Sequence, residues 1–312
     1  MATNFNNRVF GCVIIKSVNS NYNADFTHQP RTLPDGTIYA TDKALKYSVR
    51  NYFKKAYPDD KVFYFKTLSS EMQPRTLDET YENIFGKYPD VKGKDTEAQL
   101  RKAVLKNLLS CIDVRLFGGT YAGKTNLSIH GPLQITHGID QYRQGQIYSE
   151  QIMSPFRNPG EKNVDSTMTT LGSQSKLSEG HYVHGFSINP HNITDHVTLS
   201  DGTALQEVDI AKLKVALSSG VTFYDSAAKS GTENEVMLWI QLKEGSMIVL
   251  PSFVDLVKIG EDRTIDFSAI SEILSRPYIA DHIEKIELVY NQTATKVSGT
   301  PDKALVTDIN SN

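Results

Sequence analysis

Two kinds of hydrophobic pattern recur along the chain. Runs of β-branched apolar residues, or strict alternation with polar ones, are typical of strands, whereas apolar residues spaced by three and four are typical of amphipathic helices. On this basis strands are predicted at residues 8–18, 61–66, 113–117, 127–137, 181–188, 235–243, 247–250 and 282–290. Helices are predicted at residues 42–56, 76–85, 96–110, 208–218 and 265–274.

The order of these elements predicts an α+β fold. Because strands and helices mix without strict alternation, a mostly antiparallel sheet with packed helices is favoured, such as a ferredoxin-like core with insertions. Two segments stand outside this core. Residues 149–180 are rich in Ser, Thr, Gly and Pro and predict a long extension, and the polar tail from Asn291 is expected to fray.

The composition is that of a folded protein with unevenly distributed charge. Apolar residues make up 39% of the 312 residues, and the formal net charge is −3. Residues 1–66 hold ten Lys or Arg and five Asp or Glu, whereas residues 195–312 hold ten and eighteen. A basic N-terminal part can meet a polyanion, although ordinary variation in solvated charge explains the gradient equally well.

The sequence indicates neither a membrane nor an oxidising compartment. No apolar run approaches the ~18 residues of a spanning helix, and the first residues lack the layout of a signal peptide. Cys12 and Cys111 have no CxxC neighbour, so neither a disulfide framework nor a zinc ribbon is predicted. His181 and His184 fall on opposite faces of their predicted strand, which argues against a metal pair. We expect a cytoplasmic protein without a cofactor, metal or membrane partner.

One string resembles a nucleotide-binding motif. Residues 118–125 (GGTYAGKT) match the phosphate-loop pattern GxxxxGK[ST]. That chemistry needs a helix starting at the Lys-Thr pair, so that its amides face the phosphates. Here the residues after Thr125 alternate like a strand, and Gly131 and Pro132 would break a helix. A glycine hairpin is therefore predicted, and a nucleotide hydrolase using Gly118–Thr125 is an alternative.

A row of cations follows the first predicted helix. Lys43, Lys46, Arg50 and Lys54 recur at i, i+3, i+7 and i+11, beside a core face formed by apolar residues. The preceding loop carries side chains that suit phosphate and ribose contacts, namely Asn19, Asn21, Asn23, His28, Gln29 and Arg31. Loop and helix together predict a groove that follows one nucleic-acid strand, and a merely solvated helix face is the competing interpretation.

These segments resemble a known family. The strings NSNYNADFTHQPRTLPDG, TDKALKYSVRNYF, DVRLFGGTYA and HGPLQITHG are similar to the repeating backbone subunit of type I CRISPR surveillance complexes (Cascade), in the RAMP superfamily, and closest to type I-B. In that group the first loop reads something like NPNGDP…RPR, followed by TDxxLKRxIR. Residues 19–25 depart from the first pattern, whereas Arg31, residues 41–46 and Arg50 keep the second. The resemblance is strongest over residues 8–140.

The resemblance implies a single modified ferredoxin-like (RRM-like) palm domain over residues 1–312. It also implies a helical finger-type insertion at residues 67–112 and a thumb-like extension at residues 149–180. The implied function is a non-catalytic scaffold that stacks head to tail along a guide RNA and supports pairing with target DNA. The implied partners are the guide (CRISPR) RNA, the target DNA strand, further copies of the chain and other Cascade subunits.

The family's RNA contacts carry over to particular positions. Guide phosphates would be met from the first helix by Thr41, Lys43, Lys46 and Arg50, and the same path would be lined from the loop by Asn19, Asn21, His28 and Arg31. Gly118 and Gly119 would allow close backbone approach. Met168 or Leu171 would form an apolar wedge at the thumb tip.

A catalytic alternative keeps the same fold. Type III members of the superfamily cleave target RNA with an acidic residue in the first loop, and Asp25 occupies that loop here. This alternative predicts metal-assisted cleavage of complementary RNA.

Overall fold

The computed structural model describes residues 3–91, 95–153 and 171–311. The strands are β1 (Val9–Ser20), β2 (Tyr39–Ala40), β3 (Gly118–Ala122), β4 (Asn126–His130), β5 (Leu133–Asp140), β6 (Ile147–Met153), β7 (Leu171–Ile188), β8 (Thr232–Leu242), β9 (Lys258–Ile259), β10 (Ile265–Asp266), β11 (Ile283–Tyr290), β12 (Val297–Ser298) and β13 (Ala304–Asp308). The helices are α1 (Asp42–Ala56), α2 (Leu77–Phe85), α3 (Thr96–Leu109), α4 (Ile112–Phe117), α5 (Thr194–Ser200), α6 (Glu207–Ser219), α7 (Ser268–Ser275) and α8 (Pro277–Ala280). Within these residues, no helix is both long and apolar enough to cross a membrane.

A mixed sheet organises the fold. Its strand order is β13-β11-β8-β1-β7-β5-β2, with β6 paired to the outer part of β7. All these pairs are antiparallel except β11 with β13. The predicted α+β class is therefore confirmed.

The central strand β1 is buried on both sides. Val13 and Ile15 belong to a core cluster with α1, α6 and the helices α2–α4. Cys12 and Ile14 belong to a second cluster with the segment 248–274 and α7 on the opposite face. Because alternate side chains of a strand point to opposite faces, burial on both sides produces a continuous apolar run.

Three segments predicted as strands have other structures. Residues 113–117 lie in α4, which ends at Phe117 and is followed by Gly118 with φ +64°. A short segment whose apolar residues are Val114, Leu116 and Phe117 fits a buried helix as well as a strand. Residues 61–66 and 247–250 are assigned to no strand. In residues 247–250, the alternation of apolar side chains reflects burial on one side only. Met247 and Val249 are exposed, whereas Ile248 and Leu250 are buried.

The C-terminal prediction also needs correction. The segment after Asn291 forms β12 and β13, and β13 pairs in parallel with β11 along the edge of the large sheet. Backbone hydrogen bonds to a neighbouring strand hold this polar tail in place, which side-chain polarity alone does not reveal. Residues 149–180, predicted as an extension, include parts of the antiparallel pair β6–β7, and residues 154–170 lie outside the described residues.

A buried histidine lies beneath the start of the loop that follows β1. The Nδ1–H of His184 donates to the carbonyl of Thr136 (3.0 Å), and its Nε2 accepts from the hydroxyl of Tyr22 (3.3 Å). Gly138, directly opposite on β5, provides the necessary room, since a Cβ there would lie 2.4 Å from the imidazole. Burial lowers the pKa of His184 to about 4.

We expect His184 to make the protein sensitive to acid. The unfolded chain takes up a proton near pH 6.5, whereas the folded protein does so only near pH 4. Stability should therefore fall across that window, by up to about 3 kcal/mol from this residue. In His184→Asn the fall should be smaller, although the variant is less stable throughout; urea midpoints measured from pH 7 to pH 4 check this.

The matched control is His130→Asn, since His130 is exposed on β4. It should follow the wild-type pH profile, and an identical acid slope in both variants would contradict the assignment.

His181 titrates in the opposite sense. Burial acts to lower its pKa, but the carboxylates of Glu235 and Glu179 prevail and raise it. The stability that His181 contributes to the folded protein is therefore complete below pH 6.5 and is lost as the pH rises through the raised pKa.

Candidate nucleic-acid interface

Helix α1 and the loop before it form one continuous surface. Pro58 follows the helix, and Leu45, Val49 and Phe53 bury its core face, as the sequence predicted. Thr41 occupies the N-cap position, yet its side chain does not cap the helix. Instead its backbone N–H and its hydroxyl donate to the Asn23 side-chain oxygen, at 2.9 and 3.0 Å. The loop is thereby fastened to the helix start.

The four cations of α1 fall into two kinds. Lys43 and Lys54 are exposed and form no ion pair among the described residues. Lys46 lies 2.9 Å from the carboxylate of Asp42, and its side chain is only 16% exposed. Arg50 is similarly covered and pairs with a buried acid. Half of the predicted basic row is thus already neutralised within the protein.

The acid that pairs with Arg50 is Asp113, the second residue of α4. Its carboxylate accepts from Arg50 Nε (3.1 Å) and from the backbone amides of Phe63 (2.8 Å) and Tyr64 (2.9 Å). The Arg50 guanidinium also lies 4.9 Å above the ring of Phe117. The amides of Phe63 and Tyr64 therefore need no partner strand, because a side chain replaces the sheet as their acceptor.

The first loop is tied to the base of the β6–β7 pair. The Asn21 amide donates to the carbonyls of His28 and Ser175, both at 3.2 Å. Asn19, with φ +47°, accepts from the hydroxyl of Tyr148 at 3.0 Å. The loop residues predicted to line the guide path thus gather beside the extension as well as beside α1.

Three buried polar atoms on this surface lack a partner among the described residues: Asn21 Oδ1, Arg31 Nε and Tyr64 OH. A buried polar group without a hydrogen bond is destabilising and needs an explanation. Because these atoms are covered, they could gain hydrogen-bond partners only after a local rearrangement. His28 is exposed nearby, with φ +65°.

Asp25 organises the loop. Its Oδ1 accepts from the amide and hydroxyl of Thr27 (2.7 and 2.8 Å) and from the amide of Gln29 (3.0 Å). These hydrogen bonds, first the one from the Thr27 hydroxyl, lower the pKa of Asp25. Among the described residues, no group of three His, Cys, Asp or Glu side chains is arranged to hold a metal ion.

The glycine-rich string forms a hairpin, as predicted. Strands β3 and β4 pair from Gly118 with His130 to Ala122 with Asn126, and the Gly-Lys-Thr portion is the turn. Lys124 Nζ lies 4.5 Å above the ring of Tyr88, and no helix starts there. Gly118 is required by the fold, because a Cβ would lie 2.1 Å from the Ile129 carbonyl. At Gly119 a Cβ would meet the ring of Tyr64.

The sequence analysis missed several residues of this surface. Tyr47 lies on the same face of α1 as the exposed lysines and is 37% exposed. Tyr47 is four residues after Lys43 and seven before Lys54, and this spacing places all three on one helix face. A search for cations alone does not find it. Tyr224 contacts the ring of Tyr47, and Lys229 contacts the ring of Tyr224. Both come from a distant segment, so no local pattern indicates them. Of the two wedge candidates, Met168 lies outside the described residues and Leu171 begins β7.

Removing the charge of Asp113 should destabilise the protein, because the contacts that hold α1, α4 and residues 63 and 64 together depend on it. In Asp113→Asn the buried Arg50 loses its counterion, and one of the two amides of residues 63 and 64 loses its acceptor. We expect a loss of about 3 kcal/mol in the free energy of unfolding, measured by urea denaturation. Asp59→Asn, at an exposed carboxylate, is the control and should change stability by less than about 0.5 kcal/mol. Equal stability of the two variants would show that the hydrogen bonds of Asp113 do not stabilise this part of the fold.

Comparison with known proteins gives a family and a fold. The family model described as CRISPR-associated protein Cas7 matches residues 7–273. A chain of a solved "CRISPR RNA-guided surveillance complex, pre-nicking" is 12% identical with a TM-score of 0.57, over 97% of both chains. A chain of another "CRISPR RNA-guided surveillance complex" is 12% identical with a TM-score of 0.50, over 93% of this chain and 95% of that one. None of the curated protein sequences matches.

At such low identity the two structures show a shared fold alone. The family model, however, covers most of the sequence, from the start of β1 into α7. The resemblance noted in the first loop, in α1 and in the glycine hairpin is confirmed at the level of the family, whereas subtype I-B stays a prediction. The chain belongs to the CRISPR-associated protein Cas7 family.

Proposed function

We propose that this protein is a guide-RNA-binding backbone subunit of a Cascade surveillance complex. The observation that carries the proposal is the surface formed by α1 and the first loop, where exposed cations adjoin buried polar atoms that lack partners. Lys43 and Lys54 offer ammonium groups to phosphates, Asn21 Oδ1 can accept from a ribose hydroxyl, and Arg31 Nε can donate to a phosphate oxygen. The family and the shared fold with surveillance-complex chains support the same function.

The proposal also includes a palm, a finger and a thumb within the subunit, and the stacking of its copies. The core order β8-β1-β7-β5, with α1 and α6 as crossovers on one face, is what a ferredoxin-like palm requires, and we infer such a palm here. Residues 67–112 supply the finger and residues 149–180 the thumb, with Met168 or Leu171 as its wedge. Copies stack head to tail along the guide, since a repeated heterologous contact does not close on itself.

The role we assign is a scaffold without catalysis. Protein contacts hold the RNA backbone, while base pairing with a target DNA strand reads sequence, a division of labour known from another class of RNA-guided effector. Asp25 fits this role because its Oδ1 is already engaged in the loop. We place the complex, with its other Cascade subunits, in the cytoplasm, and the subtype closest to I-B.

The guide groove is tested best at the two exposed lysines. Arg50→Glu is unsuitable, because it would set a second carboxylate beside Asp113. Lys43→Glu with Lys54→Glu changes charge without breaking an ion pair among the described residues. We expect the double variant to bind single-stranded RNA at least roughly ten-fold more weakly, with a salt dependence shallower by about 0.7 for each phosphate that the protein no longer neutralises. Filter binding over a series of salt concentrations measures both.

The control carries the same charge change elsewhere. Lys243→Glu with Lys258→Glu alters two exposed lysines of the C-terminal third. This variant should keep nearly all of the affinity and the wild-type salt slope. Equal weakening in both double variants would reduce the effect to net charge and would count against the proposed groove.

The absence of catalysis is tested with the assembled particle. Complementary RNA incubated with the complex and Mg²⁺ should remain intact, in the wild type and in Asp25→Asn alike. Cutting at regular intervals that Asp25→Asn abolishes would establish the catalytic alternative. Denaturing gel analysis of end-labelled target distinguishes the outcomes.

A further inference from the structure

We propose that the aromatic cluster of Tyr47, Phe65 and Tyr224 is a stacking platform for an unpaired base of the bound RNA. Lys54 and Lys229 lie on its two sides and would meet the phosphates that flank this base. The inference rests on the proposed RNA-binding function and adds a site to it, with a defined ligand chemistry: a planar nucleobase between two backbone charges.

The three rings form a continuous group across distant segments. Tyr47 stacks on Phe65, with ring centroids 5.2 Å apart and an interplanar angle of 22°. Tyr224 meets Tyr47 edge-on, with centroids 5.1 Å apart. Tyr47 keeps 37% of its surface exposed despite these two ring contacts. Part of the platform is therefore open to a ligand.

Each side of the platform carries a cation. Lys54 Nζ lies 5.7 Å from the centroid of Phe65. Lys229 Nζ lies 5.2 Å from the centroid of Tyr224 and 5.3 Å from that of Tyr22. The order along the surface is thus cation, three rings, cation. Polynucleotides present the complementary order of phosphate, base and phosphate.

Lys229 is the more informative of the two lysines. It is largely covered by the two tyrosine rings, and among the described residues no carboxylate lies within ion-pair distance of it. Burial lowers its pKa to about 8. A covered ammonium group paired only with rings is incompletely compensated, and a phosphate oxygen would supply the missing counter-charge.

The platform also lies where the RNA is expected to pass. Tyr47 shares its helix face with Lys43 and Lys54, the exposed lysines of the proposed groove. Lys229 follows Ala228, whose carbonyl accepts from the amide of Asn21 at 2.7 Å, at the start of the first loop. Burial, with a hydrogen bond to Tyr224, raises the pKa of Tyr47 to about 12, so its hydroxyl stays neutral beside a phosphate.

Fluorescent RNA tests the stacking directly. A series of single-stranded RNAs, each with one 2-aminopurine at a different position, is bound to the full-length protein, and quenching on binding is recorded together with affinity. In the wild type we expect strong quenching. Tyr47→Phe should retain it, since the ring is what stacks. Tyr47→Leu should lose it and bind roughly ten-fold more weakly.

The control and the outcomes separate this inference from the proposed function. Tyr278→Leu removes a ring that is 71% exposed on α8 and should change neither readout. Thermal unfolding confirms that each variant is folded. Wild-type affinity and quenching in Tyr47→Leu would overturn the platform and leave the groove standing. Equal loss in Tyr47→Phe and Tyr47→Leu would assign the effect to the hydroxyl contact with Tyr224 and also overturn it. Failure of the wild type to bind any RNA would remove both proposals.

Discussion

The buried carboxylate of Asp113 holds together the parts on which the interface depends. It accepts from Arg50 on α1 and from the amides of Phe63 and Tyr64, and it lies in the helix that leads into the glycine hairpin. A charge that is completely buried is tolerated only when its lone pairs are satisfied. The spacing between α1, the ring of Phe117 and the aromatic residues 63–65 therefore follows from a single set of hydrogen bonds.

This arrangement changes the meaning of the basic row on α1. Arg50 acts inside the protein, where it fixes α4 and the 63–65 segment against the helix, and Lys46 is held by Asp42. The charges left for a polyanion are those at the two ends of the row, Lys43 and Lys54. Between them on the same face lies Tyr47. The helix thus presents separated cations around a ring rather than a uniform positive stripe, which suits a strand held at intervals.

Local patterns predicted the parts of the fold that depend on local rules. Helix α1 follows from its apolar spacing and Pro58, and the hairpin of β3 and β4 follows from alternation that contradicts the phosphate-loop letters. Several of the failures share a cause, since they depend on contacts distant in sequence. Arg50 and Asp113 are 63 residues apart, so no window reveals that the arginine is paired or that residues 61–66 need no strand. Only the tertiary fold brings Tyr224 to Tyr47 and Lys229 to Tyr224.

The position of β1 has a consequence for how the chain reaches its native state. Val9 pairs with Ile188 on one side and with Gln241 on the other, so β1 is synthesised well before both of its partner strands. Proteins dominated by such distant pairings fold slowly, because a large loop must close before the contacts form. Until β8 has left the ribosome, the apolar run of β1 has no complete partner and is open to association with other nascent chains. The strand at the centre of the finished sheet is the element at greatest risk during biosynthesis.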